Sequence, residues 1–220
     1  MMEAVTSFFA LSLGTVAALL PIINPFSTAP LFLALTEGFT KEEREEQARM
    51  GTIYMFSILA VFLIFGSLIM TFFGISLPGV RIAGGILVGR VAFGMLYPKD
   101  KQQTAEEERE VRMKKDISFF PLAMPSLSGP GSIAVVISMA TLAGSWYEYF
   151  AILVGLVIIT LIVRVTLRMS GHITRVLGVN GMHALTKIMG FLIFCIAIQF
   201  IVNGLTDPNL LEAVREGLGL

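Results

Sequence analysis

The sequence carries two related hexapeptides, PFSTAP at residues 25–30 and PSLSGP at residues 125–130. Each begins and ends with proline, encloses hydroxyl side chains, and lies inside a long uncharged run. The first run extends from Ala4 to Thr36 and the second from Ile117 to Tyr147. As continuous helices these runs would be roughly 50 Å long, whereas a bilayer core of about 30 Å needs about 20 residues. Because proline interrupts helical hydrogen bonding, we predict that each run forms two half-helices joined by irregular backbone.

The composition of the whole chain is typical of a membrane protein. Of its 220 residues, 55% are hydrophobic and only 15% are charged, whereas soluble domains carry about a quarter charged residues. The sixteen basic and sixteen acidic residues balance, so the sequence shows no basic footprint for nucleic acid. The single cysteine, Cys195, cannot form an internal disulfide and has no metal-binding neighbourhood. We therefore expect a multi-pass integral membrane protein, surrounded by lipid, rather than a soluble enzyme or a disordered chain.

Four further segments have the length and apolar character of single spans. They are Met50 to Phe73, Arg81 to Tyr97, Tyr149 to Val163 and Ile188 to Thr206. Before its first apolar run the chain carries Glu3 and no basic residue. We therefore expect a retained membrane span there rather than a secretory signal. Together with the two interrupted runs, these segments predict an all-α integral membrane protein with six transmembrane helices.

Basic residues are distributed unevenly between the predicted loops. Eleven of the sixteen fall in the segments 37–49, 98–116 and 168–175, which six spans place on one side of the membrane, and two lie on the other side. Because basic loops mark the cytoplasmic side, both termini are predicted to lie outside the inner membrane. The run EEEREVRMKKD at residues 106–116 is expected to be a solvated cytoplasmic connector.

The order of features in the first half of the chain recurs in the second half. The third span begins with Arg81-Ile-Ala-Gly84 and the sixth with Lys187-Ile-Met-Gly190. Because each half has three spans, the halves would have opposite orientations, which is the inverted-repeat plan of secondary transporters. We predict two inverted three-helix repeats, each with a discontinuous first helix. The predicted boundaries are 1–97 for the first repeat, 98–116 for the linker, 117–206 for the second repeat and 207–220 for an external tail.

The interrupted backbone predicts a binding site near the middle of the membrane. Unpaired backbone groups are costly in hydrocarbon, so such breaks persist where they are buried in protein or line a polar cavity. Half-helix N-termini, capped by hydroxyl residues, favour a carboxylate, and the ends of the preceding half-helices favour an ammonium group or a small cation. A zwitterion such as a free amino acid suits both, and glycine lets the backbone approach it closely. The predicted substrate-binding residues are Asn24, Pro25, Ser27, Thr28, Ser126, Ser128, Gly129 and Gly131. The alternative is that these side chains only satisfy the broken backbone.

Five polar residues in or beside the spans are candidates for a pathway or gating role. Arg90 stands within the third span and should face the protein interior or a cavity, unless it snorkels to the surface. Gln199 and Asn203 lie four residues apart on the sixth span, where they either line the pathway or join spans by hydrogen bonds. Proton coupling usually relies on an intramembrane carboxylate or histidine. Glu37 and Glu148 lie only at span ends, so the residues leave the proton carrier open.

The residues also leave other function classes open. An amino-acid exporter or a passive channel would share this layout, because sequence fixes neither direction nor stoichiometry. An intramembrane hydrolase would need a nucleophile with a base, or a metal motif such as HExxH, and the sequence has no HExxH. We expect no enzyme activity, no cofactor or bound metal, and either H⁺ or Na⁺ as a coupling ion. The oligomeric state is not determined by the sequence. The spacing Gly85-xxx-Gly89 predicts helix packing rather than ligand contact.

Four segments resemble those of a known family. They are INPFSTAPLFLALTEG at 23–38, VRIAGGIL at 80–87, PLAMPSLSGPGSI at 121–133 and KIMGFLIFCIAIQFIVNGL at 187–205. They resemble the MarC family of six-span prokaryotic inner-membrane proteins, which includes small neutral amino-acid transporters of the SnatA type. The resemblance implies glycine and alanine as substrates and a proton-linked gradient as the driving force. The positions that match the family's signature segments are Asn24, Pro25, Ser27, Ser128, Gly129, Pro130 and Gly131.

Overall fold

The structure is a computed structural model that describes residues 2–97, 116–208, 210, 212 and 215, and every regular element in this part of the chain is helical. Five helices are long and apolar enough to cross a membrane, or six spans result if one bent pair of helices counts as a single span. The prediction of an all-helical membrane protein is confirmed. The predicted linker 98–116 lies outside the described residues except for Asp116. The helices are α1 (Met2–Ile23), α2 (Pro25–Leu35), α3 (Lys41–Phe73), α4 (Leu77–Leu96), α5 (Ser118–Leu127), α6 (Pro130–Leu142), α7 (Trp146–Arg168) and α8 (Ser170–Leu205).

Helix α3 is longer than the predicted span and includes most of the charged segment before it. The prediction of a loop over 37–49 is therefore wrong from Lys41 onward. Thr40 Oγ1 accepts a hydrogen bond from the Glu43 backbone N–H at 3.1 Å, and the Glu43 carboxylate accepts one from the Thr40 N–H at 2.8 Å. This capping box satisfies two backbone donors and starts the helix in water, about two turns before its apolar part begins at Met50.

The connection between α7 and α8 is helical rather than a loop. Helix α7 ends at Arg168 and α8 begins at Ser170, so the predicted loop around Arg168 and Arg175 is wrong. Helix α8 changes direction at Gly178, whose φ of 61° and ψ of −178° are accessible essentially only to glycine. The part of α8 beyond this bend, Asn180–Leu205, is the candidate span.

Ion pairs identify which helix ends lie together. At one end of the bundle, Glu45 of α3 contacts Arg168 of α7 at 3.2 Å and Arg164 at 3.6 Å. At the opposite end, Arg81 in the first turns of α4 pairs with Asp207, just after α8, at 2.9 Å. The charged start of α3 and the basic end of α7 therefore share one end, as the distribution of basic residues predicts. The orientation of these ends relative to the cell stays a prediction.

Helix α5 is irregular because of its prolines. Phe120 and Met124, which directly precede Pro121 and Pro125, have extended backbone, since a proline ring disfavours helical geometry in the residue before it. The backbone hydrogen bonds close over five residues rather than four, as in the bond from Leu122 N–H to the Ile117 carbonyl at 3.1 Å. The axes of α5 and α6 differ in direction by 63°.

The start of α5 is held by two polar side chains. The Ile117 N–H donates to the buried Gln47 side chain at 2.9 Å. The Ser118 hydroxyl and N–H donate to the Asp116 carboxylate at 2.6 Å and 2.9 Å, and these bonds lower the pKa of Asp116. Because the pKa of Asp116 is lower in the folded chain than in the unfolded chain, its ionised carboxylate stabilises the fold at pH values above the unfolded pKa. This stabilisation is lost as the pH falls through the folded pKa.

Close contacts at small residues assemble the helices. A Cβ atom on Gly155 of α7 would lie 2.6 Å from the Cβ of Thr15 and 2.8 Å from the carbonyl oxygen of Ser12, both in α1. The Ser12 hydroxyl donates to the Ala151 carbonyl of α7 at 2.9 Å. The two helices thus touch through their backbones. The large buried residues around them include Leu19, Ile23, Phe32, Met55, Leu59, Ile152, Leu156 and Ile159.

Helices α4 and α8 form a second close pair. A Cβ on Gly85 would lie 2.7 Å from the Ala197 carbonyl oxygen, and one on Gly89 would lie 3.6 Å from the Ala197 Cβ. On α8, a Cβ on Gly190 would lie 3.0 Å from the Cβ of Met95. The prediction that Gly85 and Gly89 serve helix packing is therefore confirmed.

Replacing Gly155 with alanine should destabilise the fold, because the added methyl would collide with backbone and Cβ atoms that cannot rotate away. We expect a loss of about 1–3 kcal/mol, as is typical of overpacking, measured as a lower midpoint of thermal unfolding in detergent. The matched control is Gly14→Ala in α1, where no atom lies within 4 Å of the added carbon. Equal stability of Gly155→Ala and Gly14→Ala would contradict the close packing of α1 and α7.

Candidate functional site

The first hexapeptide begins at a break between two helices. Helix α1 ends at Ile23, α2 begins at Pro25, and Asn24 between them has a left-handed backbone with φ 43° and ψ 64°, which asparagine tolerates better than most residues. Its side chain is buried and bonds within the break. The Oδ1 accepts from the Ser27 N–H at 3.4 Å, and the Nδ2 donates to the Ser27 hydroxyl at 2.9 Å. Asn24 is therefore the N-cap of α2.

The first turn of α2 is joined to α8 and α4. The Ser27 hydroxyl lies 3.3 Å from the Thr186 hydroxyl on α8. The Asn24 amide also donates to the Met95 sulfur on α4 at 3.7 Å. Thr28 is buried and donates back to the Asn24 carbonyl at 3.3 Å. A short chain of polar groups thus links the break to two helices of different halves of the chain.

A half-open cavity of about 450 Å³ lies directly beside this polar chain. Helix α2 contributes Pro30, and the end of α4 and the first part of α8 supply the rest of the lining. The volume falls in the range of small-molecule sites, which is about 300–1,000 Å³. The lining residues are Pro30, Gly94, Met95, Thr174, Met182, His183, Thr186 and Lys187.

The cavity offers hydrogen-bonding groups that the fold does not use. The Thr174 hydroxyl is buried and has no hydrogen-bond partner among the residues that the structure describes, which is unusual because buried polar side chains are normally paired. His183 and Lys187 lie exposed one helical turn apart on the same wall. A hydroxyl, an imidazole and an ammonium group can together bind a small polar molecule that carries a carboxylate.

The serines of the second hexapeptide bond to the segment that precedes them. The Ser126 hydroxyl donates to the Pro121 carbonyl at 2.8 Å, and the buried Ser128 hydroxyl donates to the Ala123 carbonyl at 2.8 Å. Both therefore satisfy carbonyls of the preceding segment. The expectation that these serines cap the next helix is wrong, because their hydroxyls point back along the chain.

The glycines of the second hexapeptide lie in close protein contacts. Helix α6 begins after Gly129, which has no side chain to cap it, and a Cβ on Gly129 would lie 2.8 Å from the Pro125 carbonyl oxygen. Gly131, which directly follows the second hexapeptide, faces α4 and α1, since a Cβ there would collide with Val88 and lie 3.3 Å from Ile22. Ile22 lies two residues before Asn24, so the segments that flank the two hexapeptides approach each other at this contact.

Hydroxyl residues do not cap the first hexapeptide's helix either. Ser27 and Thr28 lie within the first turn of α2 and bond to groups around Asn24. Pro25 occupies the first helical position, where its missing N–H is not needed. Asn24, Pro25, Ser27 and Thr28 are therefore brought together at the break, beside the cavity.

Arg90 is exposed on α4 rather than directed into the protein. It comes two residues after the buried Val88, which places it on the opposite side of the helix. Of the two alternatives for Arg90, an interior position and snorkelling, its exposure favours snorkelling. Its long side chain can reach the membrane surface near the end of α4 by snorkelling.

The remaining predicted pathway residues also lie away from the cavity. Gln199 donates to Asn203 at 2.7 Å on an exposed face of α8. Glu37 is exposed in the turn after α2. The carboxylate of Glu148 accepts from the Gly144 N–H at 2.7 Å, which braces the turn before α7.

Four polar side chains that line the cavity were not predicted from the sequence: Thr174, His183, Thr186 and Lys187. Thr186 and Lys187 directly precede the predicted span Ile188 to Thr206, and Thr174 and His183 lie in the segment before it. The K-I-M-G motif drew attention to Lys187, but as a repeat marker rather than as a cavity residue. Among the described residues, no group of three or more His, Cys, Asp or Glu side chains is arranged to hold a metal ion.

Comparison with known proteins gives a consistent family match. The model for the family described as "MarC family integral membrane protein" matches residues 9–208. The chain is 42% identical over 212 residues to "UPF0056 inner membrane protein MarC" of Citrobacter koseri, covering 91% of this chain and 96% of that protein. The protein of the same name from Salmonella typhimurium is 42% identical over 215 residues, with the same coverage. No solved structure matches the chain.

The match extends over nearly the whole sequence, includes both proline hexapeptides, and agrees with the helical membrane architecture. The relatives are named as inner-membrane proteins, in keeping with the apolar helices. The chain is therefore a multi-pass membrane protein that belongs to the MarC family.

Proposed function

We propose that this chain is a secondary transporter of small neutral amino acids, such as glycine and alanine, that works by alternating access and is coupled to H⁺ or Na⁺. The observation that carries the proposal is the cavity beside the break between α1 and α2, which is mainly apolar and has four polar side chains in its lining. A cavity at this position contains an unpaired hydroxyl, a second hydroxyl, an imidazole and an ammonium group between apolar helices. Polar groups inside a membrane protein typically mark a substrate or ion pathway.

The packing of the helices supports two inverted repeats. Helix α1 packs against α7 while α5 packs against α3, and α2 packs against α8 while α6 packs against α4. This exchange of partners is expected if a twofold axis in the membrane plane relates α1–α4 to α5–α8. In this interpretation α1 with α2, and α5 with α6, are the discontinuous first helices of the repeats.

The glycines of the two matched motifs support the same axis. Gly85, next to the glycine of R-I-A-G, approaches Ala197 and Ile201 near the far end of α8. Gly190, the glycine of K-I-M-G, approaches Met95 and Ala92 near the far end of α4. The two motif regions therefore both contact the opposite repeat, the first through Gly85 and also through Gly84, whose Cβ would lie 2.6 Å from Ala134 of α6.

The cavity chemistry suits a zwitterionic amino acid. Lys187 supplies positive charge, and Lys187 and the His183 ring both supply hydrogen-bonding groups for a carboxylate. The Thr186 hydroxyl, which also lines the cavity, offers an oxygen for an ammonium group. The Thr174 hydroxyl can serve as donor or acceptor.

The two ends of the protein differ in a way that alternating access requires. Lys187 and Arg81 occupy the same position in the two repeat motifs. Lys187 lines the open cavity, whereas Arg81 is locked in an ion pair with Asp207 in which both side chains are largely buried. We infer an inward-open state in which the Arg81–Asp207 pair closes the external side.

The alternatives make different use of the same features. A passive channel or an exporter would use the same cavity without uphill uptake. For an intramembrane hydrolase, the Ser126 and Ser128 hydroxyls would need an activating base, but both donate to backbone carbonyls instead.

Proteoliposomes that contain the purified chain should accumulate labelled glycine or alanine above equilibrium only under an inward H⁺ or Na⁺ gradient. An ionophore that collapses the gradient should abolish the accumulation, because the coupling ion supplies the driving force. Equilibration without accumulation would favour a passive channel. The proposal would be overturned if glycine and alanine gave neither uptake nor a shift in thermal unfolding.

Replacing Thr174 with valine should weaken glycine binding by about 5-fold, the effect of one lost hydrogen bond. The fold should be equally stable or slightly more stable, because the substitution removes a buried unpaired hydroxyl. Binding is measured by the concentration dependence of the thermal shift. The matched control is Thr160→Val on α7, whose hydroxyl bonds to its own helix at Leu156. Unchanged glycine affinity in Thr174→Val would remove this hydroxyl from the site.

Replacing Arg81 with glutamine should open the external side, because the ion pair with Asp207 is lost. The reporter is Ile82→Cys in a Cys195→Ala background, since Ile82 packs against Gly204 behind the pair. An impermeant maleimide added outside should label this cysteine at least several-fold faster in the Arg81→Gln protein. A cysteine at exposed Trp146 should label equally in both backgrounds. Equal labelling of the Ile82 position would contradict the gate.

A further inference from the structure

A second cavity, of about 490 Å³, lies at the charged end of the bundle. It is formed where α2, the first two turns of α3 and the last residue of α7 meet. Its walls are mainly charged, and its floor includes the apolar side chains of Phe32 and Ala48. The complete lining is Phe32, Lys41, Glu42, Arg44, Glu45, Ala48 and Arg168. The cavity at the α1–α2 break shares none of these residues.

Positive charge exceeds negative charge in this second cavity. The Glu45 carboxylate is already paired with Arg168 at 3.2 Å and with Arg164 at 3.6 Å. Among the lining residues, Lys41 and Arg44 then stand against Glu42 alone, which leaves one net positive charge. The second cavity therefore favours an anion.

Arg44 has a donor that the protein leaves unused. Its Nη2 donates to the Thr36 carbonyl at the end of α2, at 3.1 Å, which fixes the guanidinium against the cavity wall. Its Nε is buried and has no hydrogen-bond partner among the described residues. A buried guanidinium N–H without an acceptor is costly, and an anionic oxygen in the second cavity would satisfy it.

The depth of the second cavity matches the lipid headgroups. The apolar part of α3 begins at Met50, so residues 41–48 lie roughly 3 to 14 Å beyond it along the helix axis. The headgroup region is about 5–8 Å thick on each side of the hydrocarbon core. Arg44 and the Glu45–Arg168 pair therefore stand near the level of the phosphates, with Lys41 further out, and the apolar floor at Ala48 faces the level of the glycerol and acyl chains.

We propose that this second cavity binds the phosphodiester headgroup of an anionic phospholipid. Arg44 Nε, Lys41 and the free guanidinium nitrogens of Arg168 would donate to the phosphate oxygens, as basic pockets between membrane helices do. The basic side chains would recognise any phosphate group. The position of the cavity beside the acyl region favours a lipid phosphate over free inorganic phosphate. The proposal does not depend on the transport function.

The test measures lipid binding to the delipidated full chain by native mass spectrometry and by thermal unfolding. Phosphatidylglycerol should bind and raise the midpoint of unfolding, whereas phosphatidylcholine and inorganic phosphate should not. Lys41→Gln should weaken phosphatidylglycerol binding by about 5-fold, the effect of one basic residue near a membrane surface. Arg44→Gln should weaken it further.

The matched control is Arg49→Gln, an exposed arginine of the same helix that pairs with Glu46 and does not line the second cavity. The Arg49→Gln protein should bind phosphatidylglycerol with the same affinity as the unaltered chain. Arg44 also donates a hydrogen bond to the Thr36 carbonyl, so Arg44→Gln could fail to fold. In that case the binding measurement on Lys41→Gln tests the proposal, because the Lys41 side chain is exposed. Equal binding of both lipids, inorganic phosphate binding as tightly as phosphatidylglycerol, or unchanged affinity in Lys41→Gln would each overturn the proposal.

Discussion

The need to satisfy backbone groups freed by proline governs the architecture of this protein. In hydrocarbon no water is available to pair with a free carbonyl, so every break needs a partner from the chain itself. Pro125 cannot donate to the Pro121 carbonyl, and the Ser126 hydroxyl bonds to that carbonyl instead. At the other hexapeptide, the Asn24 side chain bonds to the N–H and the hydroxyl of Ser27. The hydroxyl and amide side chains around the prolines thus form hydrogen bonds with backbone groups that the helices leave unpaired.

The packing of neighbouring helices, rather than the hydrogen bonds within each break, determines which break borders a cavity. At α6, Gly131 brings the new helix into contact with Val88 and Ile22, and the space is filled. At α2, Pro30 and the neighbouring end of α4 leave a gap that α8 only partly covers. The same sequence device therefore gives a closed junction in one half and an open one in the other, which is the asymmetry that our transport proposal uses.

The sequence predicted features that depend on local chemistry. Prolines lie where α1 gives way to α2 and where α5 gives way to α6, and uncharged runs predicted the apolar helices that could cross a membrane. The loop prediction over 37–49 failed because it rested on charge alone and did not consider that Thr40 and Glu43 form a capping box that starts α3. Features that depend on helix faces were not predictable in the same way. The backward direction of the Ser128 hydroxyl and the outward direction of Arg90 follow from packing partners distant in sequence.

Helix α2 connects the two cavities physically. Pro30 lines the cavity at the α1–α2 break, and Phe32, two residues later, lines the charged one. The helix has only eleven residues and is fixed at its start by Asn24 and at its end by the bond from Arg44 to Thr36. An isolated helix of this length is marginal in water, so its position depends on these end contacts and on burial of residues such as Phe32. A displacement of α2 must therefore break a contact at one end or the other, and it would change the walls of both cavities together.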